Sequence, residues 1–171
     1  MTKLTPDAPV PALSVPKVGG GTFTLNENPP GLFTMVLFYR GLHCPVCKSY
    51  LERFNGLVAD YRGAGFDVIA VSMNDEATAT QAKSDWDISD VPLAYGLSEA
   101  DARAWGLYIS HNINENEAPV FCEPGTFWVL PDGRLYLGDV SNMPWARPDL
   151  EFLLSKVAVV KQRNYPARGV N

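Results

Sequence analysis

The apolar residues of the chain follow two patterns in turn. The run from Leu32 to Tyr39, LFTMVLFY, is almost continuously apolar and rich in β-formers, which is typical of a strand covered on both faces. After Cys44 the apolar residues recur at spacings of three and four, which predicts an amphipathic helix that ends near Gly63 and Gly65. The next apolar run, from Phe66 to Ser72, predicts a second strand.

The alternation of strand and helix continues beyond Ser72. A helix that Asn74 or Asp75 would cap runs to about Trp86. Residues 91–97 then predict a third strand, and residues 98–107 a short helix. Because a β-α-β-α order places strands side by side in the same direction, this part of the chain predicts a parallel sheet.

The C-terminal part predicts a hairpin and a closing helix. A polar loop rich in Asn and Glu is followed by TFWVL and RLYLGD, which flank the turn-forming residues Pro131, Asp132 and Gly133. Pro148 stands where a first helical turn tolerates proline, and apolar spacing predicts the helix after it. The apolar residues of that helix are Leu150, Leu153, Leu154 and Val157.

The two ends of the chain differ from its middle. Residues 1–31 are rich in Pro, Gly and Thr and hold two short extended pieces, so they predict an N-terminal arm with a small hairpin. Residues 163–171 predict a C-terminal tail. We find no internal repeat and no linker, so residues 1–171 are interpreted as one α/β domain with a central mixed sheet flanked by helices.

Charge and hydropathy narrow the range of partners. The formal net charge is -5, and acidic and basic residues are interleaved without a basic stripe, so neither nucleic acid nor an anionic membrane surface is an expected partner. The N-terminus has no apolar run of signal-peptide length, and no window approaches the ~20 apolar residues of a membrane span. We therefore expect a cytoplasmic protein, in which exposed thiols are kept reduced.

Three cysteines carry the candidate chemistry: Cys44, Cys47 and Cys122. The first two form the motif CPVC where the first strand meets the helix, which places Cys44 near the N-cap and Pro45 at the first helical position. Unpaired backbone N–H groups and the positive end of the helix dipole then favour a thiolate at Cys44. Cys47 follows about one helical turn later and would resolve a mixed disulfide on Cys44.

Other interpretations of the motif remain open. The cysteines could be structural, or Cys44 and Cys47 could bind a soft metal such as Cu(I), with or without His43. A structural zinc site would need four ligands. No cofactor and no resident metal are expected. As an imidazolium, His43 would lower the pKa of Cys44; otherwise its ring would simply be solvated. The charges of Arg40 and Lys48 would also favour the thiolate, unless these side chains are solvated surface.

With the strand, the CPVC motif and the β-α order together, the chain resembles the thioredoxin superfamily. Within it, the chain is similar to the peroxiredoxin-like branch, the alkyl hydroperoxide reductase/thiol-specific antioxidant family, from about Ala8 to the last helix. That family has Phe-Tyr-Pro at the strand end and then TxxC. On this pattern FYRGLHCPVC places Cys47 at the peroxidatic position, Cys44 at that of Thr and Arg40 at that of Pro.

A second comparison within the superfamily concerns Pro124. Peroxiredoxins have an Arg at this position, whereas thioredoxin-like disulfide reductases have a cis-proline facing their CxxC dithiol. The resemblance therefore implies a cis Glu123–Pro124 bond and a substrate-facing Pro124. Cys122, two residues earlier, would be either an extra resolving or regulatory thiol or an inert buried cysteine.

The resemblance thus implies an oxidoreductase with a thioredoxin-like fold. The leading hypothesis is thiol-disulfide exchange, with Cys44 as the exposed nucleophile, Cys47 as the resolving thiol and Pro124 beside the substrate. The alternative is a thiol peroxidase in which Cys47 or Cys44 reduces a hydroperoxide and the other cysteine closes the disulfide. The replacement of the family Pro, Thr and Arg argues against it. Expected partners are a disulfide-containing protein or a small-molecule thiol or disulfide, a hydroperoxide in the alternative, and an electron donor such as thioredoxin or glutathione. A homodimer is a further implication of the family.

Overall fold

The computed structural model describes residues 3–170 and contains nine strands and five helices within them. In chain order these are β1 (Ser14–Pro16), β2 (Thr22–Thr24), β3 (Phe33–Phe38), α1 (Pro45–Asn55), α2 (Val58–Gly63), β4 (Phe66–Val71), α3 (Glu76–Asp85), β5 (Leu93–Ala94), α4 (Glu99–Ala104), β6 (Ile109–His111), β7 (Val120–Cys122), β8 (Gly125–Val129), β9 (Leu135–Val140) and α5 (Leu150–Arg163). Residues 1, 2 and 171, at the ends of the predicted arm and tail, lie outside the described residues.

The central sheet has five strands in the order β5-β4-β3-β8-β9. Strand β3 runs parallel to β4, which runs parallel to β5. On its other side β3 pairs antiparallel with β8, and β8 pairs antiparallel with β9. The predicted α/β fold with a central mixed sheet is therefore confirmed, and the fully buried β3 is its middle strand.

Two apolar clusters cover the two faces of this sheet. Successive residues of β3 point to opposite faces, so Met35 and Leu37 belong to one cluster while Val36 and Phe38 belong to the other. Helices α1 and α5 pack on the first cluster, and α4 packs on the second. This arrangement explains why the sequence of β3 shows no polar alternation.

The predicted helix after Cys44 is interrupted. It forms α1 and α2, separated at Gly56 and Leu57. Asn55 and Gly56 are poor helix formers, and the Asn55 side chain is engaged by the backbone N–H groups of Asp90 and Val91 at 2.9 and 3.2 Å. The helix therefore ends where a side chain anchors it to the loop before β5.

Three other expectations need correction. The polar stretch predicted as a loop is partly paired, because β6 and β7 form an antiparallel hairpin. The third parallel strand is limited to Leu93 and Ala94. Pro148 precedes α5 instead of opening it, since Asp149 is the N-cap and accepts the Phe152 N–H at 2.9 Å.

Other local expectations are met. The N-terminal hairpin is present as the antiparallel pair β1 and β2, and Asp75 caps α3 by accepting the Thr78 N–H at 2.8 Å. Within residues 3–170, no helix is both long enough and apolar enough to cross a membrane.

Candidate active site

The candidate site begins in the turn between β3 and α1. Gly41 has a φ of 126°, a conformation that side chains other than glycine rarely adopt. Its carbonyl accepts the Cys44 N–H at 3.1 Å, and Asn74 Oδ1 accepts the N–H of the next residue, Leu42, at 3.0 Å. A Cβ at Gly41 would lie 2.6 Å from that oxygen, so the tight turn depends on the missing side chain.

Cys44 is the N-cap of α1, as the motif predicts. Its backbone is extended, Pro45 follows in the first turn, and Cys44 Sγ accepts the backbone N–H of Cys47 at 3.2 Å. The sulfur thus takes the place that a Ser or Asp oxygen usually has at a helix N-terminus. Negative charge on it lies at the positive end of the helix.

Both sulfurs of the motif are buried, which corrects the expectation of an exposed Cys44. The accessible fraction is 1% for Cys44 and 0% for Cys47. The capping hydrogen bond turns the Cys44 sulfur back over the first helical turn, where both cysteines join an apolar cluster. Between them in sequence, Pro45 and Val46 are exposed, so the surface beside the pair is accessible although the sulfurs are not.

Arg147 is a site residue that sequence reasoning missed. Its Nη2 donates to Cys47 Sγ at 2.8 Å, and its Nε donates to the Pro144 carbonyl at 2.7 Å. The guanidinium also packs over the ring of Tyr50, with Cζ 4.9 Å from the ring centroid. Arg147 lies in the loop between β9 and α5, where no local pattern indicates a contact with a cysteine 100 residues earlier.

Arg40 approaches the other sulfur. Its Nη1 lies 3.9 Å from Cys44 Sγ, and its remaining nitrogens face Glu117 and Glu123. The structure therefore places this predicted modulator next to Cys44. Each cysteine of the pair has its own arginine.

The two thiols titrate as a coupled pair with opposite shifts. The pKa of Cys44 is lowered to about 6 by hydrogen bonds from the Cys47 thiol, the Cys47 backbone N–H and Arg40 and by the charge of Arg147, which together outweigh its burial. Burial raises the pKa of Cys47, and the neighbouring Cys44 raises it further, although Arg147 acts in the opposite direction. Cys44 is therefore the thiolate, and Cys47 keeps its proton.

His43 and Lys48 differ in their surroundings. The half-buried ring of His43 packs against Phe121 with centroids 4.6 Å apart. Desolvation and the charge of Arg40 lower its pKa, which argues against an imidazolium beside Cys44 at neutral pH. Lys48 forms an ion pair at 3.6 Å with Glu52 on the exposed face of α1, in agreement with the solvated interpretation.

The Glu123–Pro124 peptide is trans, so the expected cis bond is wrong; no peptide within residues 3–170 is cis. Trans is the favoured state of most X-Pro bonds, and here the chain passes from β7 to β8 with both neighbouring groups paired. The Glu123 N–H donates to the Tyr108 carbonyl at 2.8 Å, and the Pro124 carbonyl accepts the Ser141 N–H at 3.0 Å. Pro124 is buried, and its contact with substrate stays a prediction.

Cys122 is fully buried at the end of β7, in the apolar cluster that does not contain Cys44 and Cys47. Its thiol donates to the Tyr39 carbonyl at 3.7 Å, and burial raises its pKa to about 12. This environment favours an inert cysteine over an extra resolving thiol.

All three cysteines are free thiols. Within residues 3–170, no group of three or more His, Cys, Asp or Glu side chains is arranged to hold a metal ion. Binding of a soft metal by Cys44 and Cys47 alone stays a prediction.

The chain was compared with known proteins. A family model described as the AhpC/TSA family matches residues 6–137. No curated protein sequence matches.

Several solved structures share the fold. A cysteine-to-serine mutant of peroxiredoxin 6 of Arenicola marina has a TM-score of 0.79 at 15% identity over 95% of this chain and 76% of that one. Mycobacterium bovis AhpC has a TM-score of 0.77 at 17% identity over 98% of both chains. Reduced Prx3 of Vibrio vulnificus, in complex with H2O2, has a TM-score of 0.75 at 13% identity over 91% of this chain and 99% of that one. These likenesses confirm the thioredoxin-like fold.

Proposed function

The chain belongs to the AhpC/TSA family, and from this premise we propose that it is a thiol peroxidase that reduces hydroperoxides with the Cys44–Cys47 pair. Membership makes it an oxidoreductase that acts through cysteine thiols. The alternative hypothesis from the sequence thus becomes the preferred one, and thiol-disulfide exchange becomes the second candidate.

The placement of two arginines at the cysteine pair, Arg147 at Cys47 and Arg40 at Cys44, is the observation that carries this proposal. In the sequence, the loss of the family Arg at Pro124 argued against peroxide chemistry. A guanidinium nevertheless donates to Cys47 Sγ at 2.8 Å from another part of the chain. With Arg40 near Cys44, the pair has the cationic hydrogen-bond donors that stabilise charge developing on oxygen.

The burial of the sulfurs also favours a small oxidant. Thiol-disulfide exchange brings a third sulfur, with the chain attached to it, to the attacking thiolate. At Cys44 only 1% of the residue is accessible. The two-oxygen head of a hydroperoxide needs far less opening of the structure to reach this sulfur than a protein disulfide does.

The family pattern places Cys47 at the peroxidatic position, but the opposite shifts of the two thiol pKa values make Cys44 the attacking thiolate in the proposed steps. The Cys44 thiolate attacks the terminal oxygen of R–O–O–H, forming a sulfur–oxygen bond while the O–O bond breaks and sulfur loses two electrons. The departing R–O⁻ takes the proton that Cys47 holds. The products of this step are Cys44 sulfenic acid, a Cys47 thiolate and R–OH.

The second step uses the thiolate that the first step created. The Cys47 thiolate, stabilised by the Arg147 guanidinium, attacks Cys44 Sγ. The S–S bond forms, and the hydroxide that leaves takes a proton from solvent to become water. An external thiol donor, such as thioredoxin or glutathione, then reduces the disulfide and is itself oxidised to a disulfide.

A direct rate comparison tests this function. The fully reduced protein is mixed with H2O2, with an organic hydroperoxide and with a disulfide substrate in a stopped-flow instrument, and Cys122→Ser serves as the control with the pair intact. We expect both peroxides to oxidise the protein at least about 100-fold faster than they oxidise free cysteine, because donors for the developing oxyanion are in place. Oxidation at the rate of an ordinary thiol would rule the peroxidase out.

Thiol-disulfide exchange remains the second candidate because of the same titration behaviour. A low-pKa first cysteine followed by a buried, protonated second cysteine suits a mixed-disulfide mechanism. Fast reduction of the disulfide substrate together with slow peroxide oxidation would select this function instead.

A further inference from the structure

We propose that Arg40 is a catalytic residue that stabilises the negative charge developing on the peroxide oxygens while the Cys44 thiolate cleaves the O–O bond, and that Glu117 and Glu123 are the positioning residues that orient it. This inference rests on the proposed function, and it concerns a position where the family resemblance implies a proline. We call Arg40, Glu117 and Glu123 the arginine clamp.

Every nitrogen of the Arg40 guanidinium faces a different group. Nε forms an ion pair with Glu123 Oε2 at 3.3 Å, and Nη2 donates to Glu117 Oε1 at 3.2 Å. Nη1 is directed to Cys44 Sγ at 3.9 Å. The ring of Phe121 lies against the guanidinium, with Cζ 4.5 Å from its centroid. Because a guanidinium is planar and rigid, these contacts fix the direction in which Nη1 points.

The two carboxylates are themselves held by the β6–β7 hairpin. Glu123 has a side chain that is only 5% exposed, and its Oε1 accepts the Ser110 hydroxyl at 2.7 Å. Glu117 Oε2 accepts the Ile113 N–H at 3.0 Å. That N–H and the charge of Arg40 lower the pKa of Glu117, which keeps it ionised at neutral pH. The hairpin therefore acts as a support for the arginine.

The distance from Arg40 Nη1 to Cys44 Sγ leaves room for a hydrogen bond to a peroxide oxygen that bonds to this sulfur. At 3.9 Å, Nη1 is at the long limit of a hydrogen bond to Cys44 Sγ. The peroxide oxygen that bonds to that sulfur would lie closer to Nη1 than the sulfur does, within reach of a normal N–H···O bond of ~2.9 Å. The contact would therefore strengthen as the sulfur–oxygen bond forms, which is the condition for transition-state stabilisation.

Arg40 adds no reactant to the step. The O–O bond breaks, the sulfur–oxygen bond forms and the leaving oxygen takes the Cys47 proton, as in the proposed function. Arg40 contributes positive charge and N–H donors, and it stays protonated throughout.

An ion-pair cluster of this kind could also be purely structural, so the test compares two reactions of the same sulfur. Peroxide cleavage develops charge on a departing oxygen, whereas alkylation by iodoacetamide releases iodide and forms no oxyanion. Both second-order rates are measured at a pH where thiolate absorbance at 240 nm shows full ionisation of Cys44. The ratio of the peroxide rate to the alkylation rate then reports oxyanion stabilisation, and a general change in packing or thiol pKa does not move it.

Three variants and one control are compared. Arg40→Lys keeps the positive charge but loses the planar guanidinium with its several N–H donors. Glu117→Gln and Glu123→Gln each remove one carboxylate that holds Arg40. The control, Arg62→Gln, removes an exposed arginine that donates to the Asp90 carbonyl. We expect the ratio of the peroxide rate to the alkylation rate to fall about 100-fold in Arg40→Lys, because the guanidinium donor is lost, and about 10-fold in each Glu variant, because Nη1 is no longer held towards Cys44. Arg62→Gln should leave it unchanged.

The outcomes separate this inference from the proposed function. An unchanged ratio in a folded Arg40→Lys, in a wild-type protein that reacts fast with peroxide, would overturn the role of the clamp while leaving the peroxidase intact. Wild-type oxidation at the rate of free cysteine would instead overturn the proposed function and the clamp with it. If Arg40→Lys does not fold, Glu117→Gln decides the matter through the same ratio, because it changes a hairpin loop and leaves the central sheet untouched.

Discussion

At the scale of single residues, the site depends on giving two adjacent cysteines unlike surroundings. Cys44 accepts a backbone N–H and faces Arg40, whereas Cys47 is fully buried and receives a hydrogen bond from Arg147. The first environment favours a thiolate, and the second keeps a proton in place until the first sulfur has reacted. This difference orders the two steps of the proposed mechanism.

The pH dependence of thiol reactivity follows from the lowered pKa of Cys44. The thiolate forms as the pH rises through about 6 and is lost as the pH falls below it. In a Cys122→Ser background, the alkylation rate should therefore rise between pH 5 and 7 and then level off. The charged and titratable groups near Cys44 are Arg40, Arg147, Cys47 and His43, and the pKa of His43 is lowered by desolvation and by Arg40. A midpoint near the ~8.5 of a free thiol would contradict this assignment.

Arg147 should act on the second step more than on the first. Replacing it in Arg147→Gln removes the charge that stabilises the Cys47 thiolate, so disulfide closure should slow by about 10-fold while sulfenic acid formation changes little. Quenched-flow sampling with thiol quantification separates the two steps. Arg53→Gln is the matched control, since Arg53 lines the same groove as Arg147 but has a side chain that is 67% exposed. Equal closure rates in both variants would be evidence against a role for Arg147.

At the scale of elements, the sequence predicts a helix or strand correctly where several neighbouring residues contribute to the same pattern. The continuous apolar run of β3, the N-cap at Cys44 and the β8–β9 hairpin were all predicted. The break between α1 and α2 was not, because it depends on Asn55 binding a distant loop. The β6–β7 hairpin was also missed, since its strands are three residues long and flank a polar loop.

The same distinction applies to the candidate site. The CPVC motif is local and could be predicted, together with the helix terminus that lowers the pKa of Cys44. Arg147 could not, because its contact with Cys47 spans 100 residues and leaves no periodic pattern. The family resemblance implies a role for Pro124. The cations beside the sulfurs are instead Arg40, which follows β3, and Arg147, in the loop before α5.

The turn between β3 and α1 should be intolerant of a side chain. Gly41→Ala would place a methyl group at a positive φ and against Asn74, so we expect the free energy of unfolding to fall by about 2 kcal/mol. Urea unfolding measures the change. Gly63→Ala at the end of α2, where a Cβ meets nothing within 4 Å, is the control and should be neutral or slightly stabilising. Equal unfolding midpoints for Gly41→Ala and the wild type would refute the strain argument.

At the scale of the whole molecule, the sheet separates two apolar clusters, and the reactive pair belongs to the one that α1 and α5 cover. Tyr61 donates to the Leu150 carbonyl at 2.7 Å and Tyr50 to the Pro148 carbonyl at 2.9 Å. These bonds connect α1 and α2 to the segment that carries Arg147. Packing of the C-terminal helix is therefore coupled to the position of the guanidinium at Cys47. The homodimer that the family resemblance implies stays a prediction.

The cluster beneath the site should dominate the stability of the fold. Leu51 is fully buried on α1, so Leu51→Ala should lower the free energy of unfolding by about 3 kcal/mol through lost contacts and a cavity. Val159→Ala on the exposed side of α5, at 40% accessibility, should change it by about 0.5 kcal/mol or less. Chemical denaturation of both variants checks the difference, and similar losses would mean that the packing of α1 is not the main contribution.

The most direct measurement of the central claim is the identity of the sulfur that peroxide oxidises first. Reduced Cys47→Ser is treated with one equivalent of H2O2 in the presence of a sulfenic-acid trap, and the labelled residue is identified by mass spectrometry beside the same experiment on Cys44→Ser. We predict rapid labelling of Cys44 in the first variant and loss of rapid oxidation in the second. Rapid labelling of Cys47 in Cys44→Ser, with a slow reaction at Cys44, would contradict the assignment of the peroxide-reducing thiolate.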